Sequence, residues 1–144
     1  MKKLAIGFYL NVLGIILGVA GVCLTAYSSF MNADNAFGNL TVMMAAGILG
    51  VIIAVIGLVA GMRSNHNIVS AVSGIAAIAL YSYVYGQCII QRVALIAGLF
   101  SFNSGNTAGW QVFYMTIAAV ACLVVGALML VIGSFCKTTK TVQA

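Results

Sequence analysis

Residues 42–62 read VMMAAGILGVIIAVIGLVAGM, an unbroken apolar run with no charge, no hydrogen-bonding side chain and no proline. An α-helix rises ~1.5 Å per residue, so about 20 apolar residues cross a hydrocarbon layer of roughly 30 Å. The run is that long and predicts a transmembrane helix. Working outward, residues 4–26, 68–90 and 110–135 have the same character, and no Asp, Glu, Lys, Arg or His falls inside any of the four stretches. The chain therefore reads as an all-α membrane protein, a four-transmembrane-helix bundle forming a single domain over residues 1–144. Hydrophobic residues make up 64 % of it and charged residues 5 %, a balance that leaves no room for a soluble domain.

The basic residues give the orientation. Lys2 and Lys3 precede the first span, Arg63 lies between the second and third, and Lys137 and Lys140 follow the fourth; the other side receives only Arg92 and Asp34, the sole acidic residue. The positive-inside bias then puts both termini on the cytoplasmic side of the plasma membrane, with outer loops near residues 27–41 and 91–109. Because the six basic residues are scattered along the chain, topology accounts for them, and no nucleic-acid partner is expected. Lys2 and Lys3 before an apolar run also describe a secretory signal, but this run exceeds the usual core of ~7–15 residues, and Val22 before Cys23 does not suit lipoprotein processing. The first span is expected to be retained. Phe8, Tyr9 and Phe135 fall at cytoplasmic ends, and Tyr27, Phe30, Trp110, Phe113 and Tyr114 at outer ends, as interfacial anchors do. Tyr81 and Tyr83 lie deeper, where their hydroxyls need partners.

Small residues describe how the helices pack. In the first span Gly7, Asn11, Gly14, Gly18, Gly21, Thr25 and Ser28 share one face, and in the second Gly47, Gly50, Ala54, Gly57 and Gly61 do the same. Thinner versions occur in the third (Ser70, Gly74, Ala77, Tyr81, Cys88) and fourth (Ala119, Cys122, Gly126, Gly133). Lipid gives helices no hydrophobic reason to associate, so close backbone approach through small residues is what holds them. The simplest arrangement packs the first two stripes against each other; the alternative turns one toward a second subunit. With no proline in the chain, the usual cause of a kink is missing.

Absences carry most of the chemical argument. No span contains the acid that proton- or cation-coupled transporters use, and His66, in the turn RSNHN, has no Cys, His or acid nearby to complete a metal site. Cys23, Cys88, Cys122 and Cys136 form no C-x-x-C pair. They read as small apolar residues, with Cys136 beside Lys137 a candidate palmitoylation position in a eukaryotic cell. No catalytic residue, cofactor or metal is expected. The polar candidates for the bundle interior are Asn11, Thr25, Tyr81 and Gln87. Arg92 runs against the charge bias. It would snorkel to headgroups, form an outer-face ion pair with Asp34 helped by Gln87 and Gln91, or bind an anionic ligand. The outer loops MNADNAFGN (residues 31–39) and SFNSGNTAG (residues 101–109) are rich in Asn and Gly, suited to positive φ. VALIAGLF (residues 93–100) is too short to span and would extend the third helix or lie along the interface. Asn39-Leu40-Thr41 is a sequon by chance.

The layout, with Arg92-Val93-Ala94-Leu95 after the third span, then Asn106-Thr107 and Trp110-Gln111-Val112-Phe113 leading into the fourth, resembles small four-helix integral membrane proteins found as uncharacterised reading frames in Gram-positive gut bacteria. That resemblance implies no activity. Tetraspanins, claudins and connexins are excluded by the missing loop cysteine pairs. The expected function is that of a noncatalytic accessory or scaffold protein, binding another membrane protein or itself through its glycine faces and outer loops. The alternative is a homo-oligomeric pore or facilitator for small solutes or ions. An enzyme ranks last, since no acid–base pair or activated nucleophile can be assembled.

Overall fold

In lipid every backbone amide must be satisfied within the protein, and for isolated apolar runs the helix is the way to do so. The computed structural model, which describes residues 2–63 and 68–141, follows that rule. Its elements are β1 (Lys2–Leu4), α1 (Ile6–Phe30), a 3-10 turn (Ala33–Asn35), α2 (Leu40–Arg63), α3 (Ile68–Ser101), α4 (Thr107–Phe135) and β2 (Thr139–Thr141). All four α-helices are long and apolar enough to cross a membrane. His66 and its turn lie outside the described residues.

The helices form an up-and-down square. α1 packs on α4 and α2, α3 packs on α2 and α4, and the α1–α3 diagonal barely touches. Tyr81, Met43, Leu123, Val84 and Cys88 fill the axis, while large aliphatic residues turn outward: Ile75 is 70 % exposed and Val59 59 %. A soluble bundle reverses that arrangement. Here the outer face is solvated by acyl chains, and the inner face needs small residues for close contact.

The glycine stripes are buried, but they do not meet each other. Gly14 and Gly21 of α1 receive Leu130 and Leu123 of α4, with added Cβ atoms 2.9 Å and 2.6 Å from those side chains, and Gly18 receives Tyr81 of α3. On α2, Gly50 also takes Tyr81, Gly57 takes Ser73, and Gly61 takes Ser70 and Thr138. Only Gly47, against Val22 at 2.5 Å, joins α2 to α1. The expected α1–α2 pairing is thus replaced by α1–α4 and α2–α3 pairing. The reason is steric: two glycine faces leave voids against each other, whereas a glycine face opposite Leu or Tyr fills like knob and hole. Nor is a stripe left over for a second subunit.

α3 settles the reading of residues 93–100: it runs 34 residues, about 51 Å at 1.5 Å per residue, so the segment extends the helix. The turn to α4 is capped by Asn106, whose side chain accepts from the Gly109 N–H at 2.9 Å. Positive φ is not used: among the described residues no glycine or other residue adopts it. The loops close through Asx and 3-10 turns instead, as where the Asn32 side chain accepts from the Asp34 N–H at 3.1 Å.

The ends hold an element that hydropathy does not announce. β1 and β2 pair antiparallel, Lys3 opposite Lys140, and the C-terminal tail supplies acceptors to the start of α1. Ala5 N–H donates to Thr138 O at 3.0 Å and Gly7 N–H to Lys137 O at 3.2 Å. Helix α1 has no side-chain cap, so the tail satisfies donors that would otherwise be orphaned. A Cβ at Gly7 would stand 2.6 Å from Cys136 O, which explains the glycine.

Candidate functional site

Polar side chains concentrate at the two ends of the bundle. At the end remote from the termini, Arg92 of α3 is 3 % exposed. Its Nη2 donates to Ser28 O at 3.2 Å and its Nη1 to Asn35 O, and its Cζ lies 4.2 Å from the Phe37 ring centroid. Ser28 O is among the last four carbonyls of α1, which lack helical partners and carry the negative end of the helix dipole. Arg92 therefore caps α1 and ties down residues 35–37, with Phe37 stacked on the guanidinium. Phe37 N–H in turn donates to Ser29 Oγ at 3.0 Å.

The ion pair expected of Arg92 is not formed. Asp34 is exposed, and the recorded partners of Arg92 are carbonyl oxygens. Snorkelling is not seen either, because the side chain is enclosed by protein. Helix α1 ends close enough for two carbonyls to replace a carboxylate, a relation of helix termini that no linear pattern displays. Phe37, an isolated aromatic in a polar loop, was the available signal.

Beside Arg92 a second network joins the same loop to α3. Gln91 Oε1 accepts from Gly38 N–H at 2.9 Å, and Gln91 Nε2 donates to Asn39 Oδ1. Gln87 Oε1 accepts from Asn39 Nδ2 and Gln91 Nε2, both at 3.3 Å. Gln87 thus sits at the rim of the bundle, and Asn39 is engaged by α3. Deeper in, Thr25 is fully buried and donates to Gly21 O at 2.8 Å, with Cys88 Sγ 3.7 Å away. Cys23 is exposed and does not approach Cys88; the four cysteines are free. Tyr81 is fully buried and its hydroxyl finds no partner among the described residues, contrary to the expectation that a deep tyrosine would be satisfied.

Beyond Arg92, nine more residues of α3 and the start of α4 form a hairpin. Phe100 lies edge-on to Trp110 and Phe113, with centroids at 5.1 Å and 5.8 Å, and Trp110 Nε1 donates to Ser104 O at 2.9 Å. Phe102 is 88 % exposed.

At the opposite end, all four helices and the tail enclose a cleft of about 290 Å³ lined by Asn11, Gly57, Ser70, Gly74, Gly133 and Thr138 among others. Asn11 Nδ2 donates to Gly7 O at 2.7 Å and Ser70 Oγ to Gly57 O at 2.9 Å. Basic residues that are scattered in sequence come together here, because pairing of β1 with β2 brings Lys2, Lys3 and Lys140 to the end where α2 finishes at Arg63. Among the described residues no three His, Cys, Asp or Glu side chains gather into a metal-binding group.

No protein-family model matches the chain, and neither the curated proteins nor the solved structures contain a significant match. What sequence and fold together establish is a small multi-pass membrane protein, a bundle of four helices in contact with the bilayer.

Proposed function

We propose that this protein is a noncatalytic accessory or scaffold subunit of a larger membrane protein, standing in the plasma membrane with both termini cytoplasmic. The orientation rests on the positive-inside bias, since Lys2, Lys3, Arg63, Lys137 and Lys140 share the terminal end. The noncatalytic reading rests on how the polar groups are used: Arg92, Asn39, Gln87, Gln91 and Thr25 all bind the fold to itself.

The observation that carries the accessory reading is the length of α3. At about 51 Å it exceeds both the hydrocarbon core of ~30 Å and the ~40–45 Å that includes the headgroups. Its far segment is nonetheless apolar and exposed, with Val93 56 % and Phe100 67 % accessible, and Phe102, just past its end, is 88 % accessible. Exposed apolar surface on a helix longer than the hydrocarbon core offers another membrane protein a docking face. Because the glycine faces are consumed inside the bundle, this hairpin takes over the docking role expected of them. A pore along the axis of one chain is disfavoured by Tyr81, Met43 and Leu123, which are each fully buried there.

Gentle extraction from the native membrane, followed by native mass measurement and identification of every co-purifying chain, tests the proposal. A stoichiometric foreign membrane protein is expected, and Phe102→Ser should release it without altering the bundle's own stability. A closed homo-oligomer, or a solitary chain, would overturn the accessory reading.

A further inference from the structure

Between α1 and α4, and between α2 and α3, glycine hollows receive Leu, Tyr or Ser side chains. Helices α3 and α4 meet differently. At the end remote from the termini Leu99 seats on Gly109, 3.0 Å from an added Cβ, and Phe100 packs on Trp110 and Phe113. Toward the middle of the span the facing side chains are Ile89 and Ile96 of α3 and Phe113, Ile117, Val120 and Val124 of α4, with no glycine among the lining residues. Branched side chains that are stiff at χ1 find no hollow to enter there, and the two helices leave a groove of about 350 Å³ between them. Ile89 and Ile117 on its walls are exposed. The groove therefore opens sideways onto the surface that the four spans turn to the bilayer.

Nothing in the groove offers a polar ligand a bond. Its one polar side chain, Thr116, is buried and donates to Val112 O at 2.8 Å. Water is excluded for the same reason, since apolar cavities stay dry. A partner helix fits badly: it is ~10–12 Å across with its side chains, and helices associate in lipid where small residues let backbones approach, yet only Thr116 and Ala121 of the lining are small. A single hydrocarbon chain fits well. From Phe113 to Val124 the groove follows α4 over about 16 Å at 1.5 Å per residue, which is half of a hydrocarbon core of ~30 Å and so the depth of one leaflet. At its remote end Phe113 packs with Trp110 and Tyr114, aromatic side chains of the kind that sit at the membrane–water interface. The groove begins where acyl chains begin and ends at the depth where they end.

We propose that this groove holds one acyl chain of a bilayer lipid, taken from the leaflet at the end remote from the termini, as a fixed part of the α3–α4 seam. Because no charged side chain lines it and its only hydroxyl is already bonded, the groove selects the chain and is indifferent to the headgroup. The site lies within the span, short of the hairpin tip, and does not depend on what the hairpin binds.

Lipid retention through extraction tests this. The full-length protein is reconstituted in vesicles of palmitoyl-oleoyl phosphatidylcholine and, separately, of phosphatidylglycerol with the same chains. Each preparation is extracted in mild detergent and washed with lipid-free detergent buffer, and the lipid bound per protein chain is read by native mass spectrometry. A single lipid should stay with each chain, to the same extent from both vesicles. Ala121→Phe directs a ring into the groove from a position already exposed to the bilayer, and retention should fall about tenfold. Ile52→Phe enlarges an exposed residue of α2 away from the groove and should keep the lipid. Loss of all lipid from the unaltered protein would overturn the proposal, and retention of phosphatidylglycerol alone would do so by tracing binding to the headgroup. It would equally fail if Ala121→Phe kept its lipid, if Ile52→Phe lost as much as Ala121→Phe, or if a second protein chain stood in the lipid's place.

Discussion

Gly18 and Tyr81 are matched across the bundle axis, and their energetics differ from those of an ordinary buried tyrosine. The Tyr81 ring occupies the space that a side chain at Gly18 would need, and its hydroxyl is buried without a partner among the described residues. Burying an unpaired hydroxyl is unfavourable, so Tyr81→Phe should raise stability by about 1 kcal/mol. Gly18→Ala forces the ring aside and should cost about 2 kcal/mol. The two changes are coupled, and the double variant should be more stable than the sum of the singles by about 1 kcal/mol in denaturant titrations of the micellar protein. Arg92 offers a different case, a buried charge whose two terminal nitrogens both find carbonyls although its Nε has no partner among the described residues. Arg92→Lys keeps the charge and its desolvation but cannot reach Ser28 O and Asn35 O together while stacking on Phe37. A loss of about 2 kcal/mol is expected. Asp34→Asn, at an exposed position, should stay within about 0.5 kcal/mol. If Asp34→Asn matched Arg92→Lys, the carbonyl-capping account of Arg92 would be wrong.

For the helices as elements, the glycines fall into two groups that hydropathy cannot separate. Gly14 faces Leu130 at 2.9 Å and the Gly126 carbonyl at 3.0 Å, whereas Gly86 meets nothing within 4 Å of an added Cβ. Gly14→Ala should therefore push α1 from α4 and destabilise the bundle by about 1–3 kcal/mol. Gly86→Ala should be neutral or stabilising by up to about 1 kcal/mol, since alanine is the better helix former. Equal losses at both sites would mean that glycine acts here through something other than close approach. The stripes on α1 and α2 were legible in sequence at helical spacing. Their partners were not, because a stripe shows where a helix can be approached and carries no information on which neighbour approaches it.

On the scale of the whole molecule, the two ends of the bundle are closed by different devices. The far end depends on Arg92 and the Gln87–Gln91–Asn39 network; the terminal end depends on a backbone clamp in which the tail caps α1. Deleting residues 138–144 removes β2 and the Thr138 acceptor. Amide exchange at Ala5 should then quicken by about tenfold or more as its N–H loses the Thr138 acceptor, with residues 88–95 unaffected. Uniform acceleration at both ends would show that the tail supports the entire bundle. The clamp escaped the sequence reading because three-residue strands carry no hydrophobic period and their pairing joins the two most distant parts of the chain.

The sequence by itself determined that four helices are long and apolar enough to cross a membrane, and where they begin and end to within a few residues, save at the C-terminal end of α3, which runs eleven residues past the expected Ile90. Those conclusions follow from composition over ~20-residue windows, because transfer into lipid depends on the sum of side chains and is indifferent to what lies across the bundle. Only the tertiary structure decided that α1 pairs with α4 and α2 with α3, and that Arg92 turns to helix-end carbonyls in place of Asp34. It alone assembled scattered basic residues beside a polar cleft. Each of these depends on the distance between residues far apart in the chain, set by how knobs such as Leu123, Leu130 and Tyr81 fill glycine hollows on other helices, and local sequence does not encode that distance.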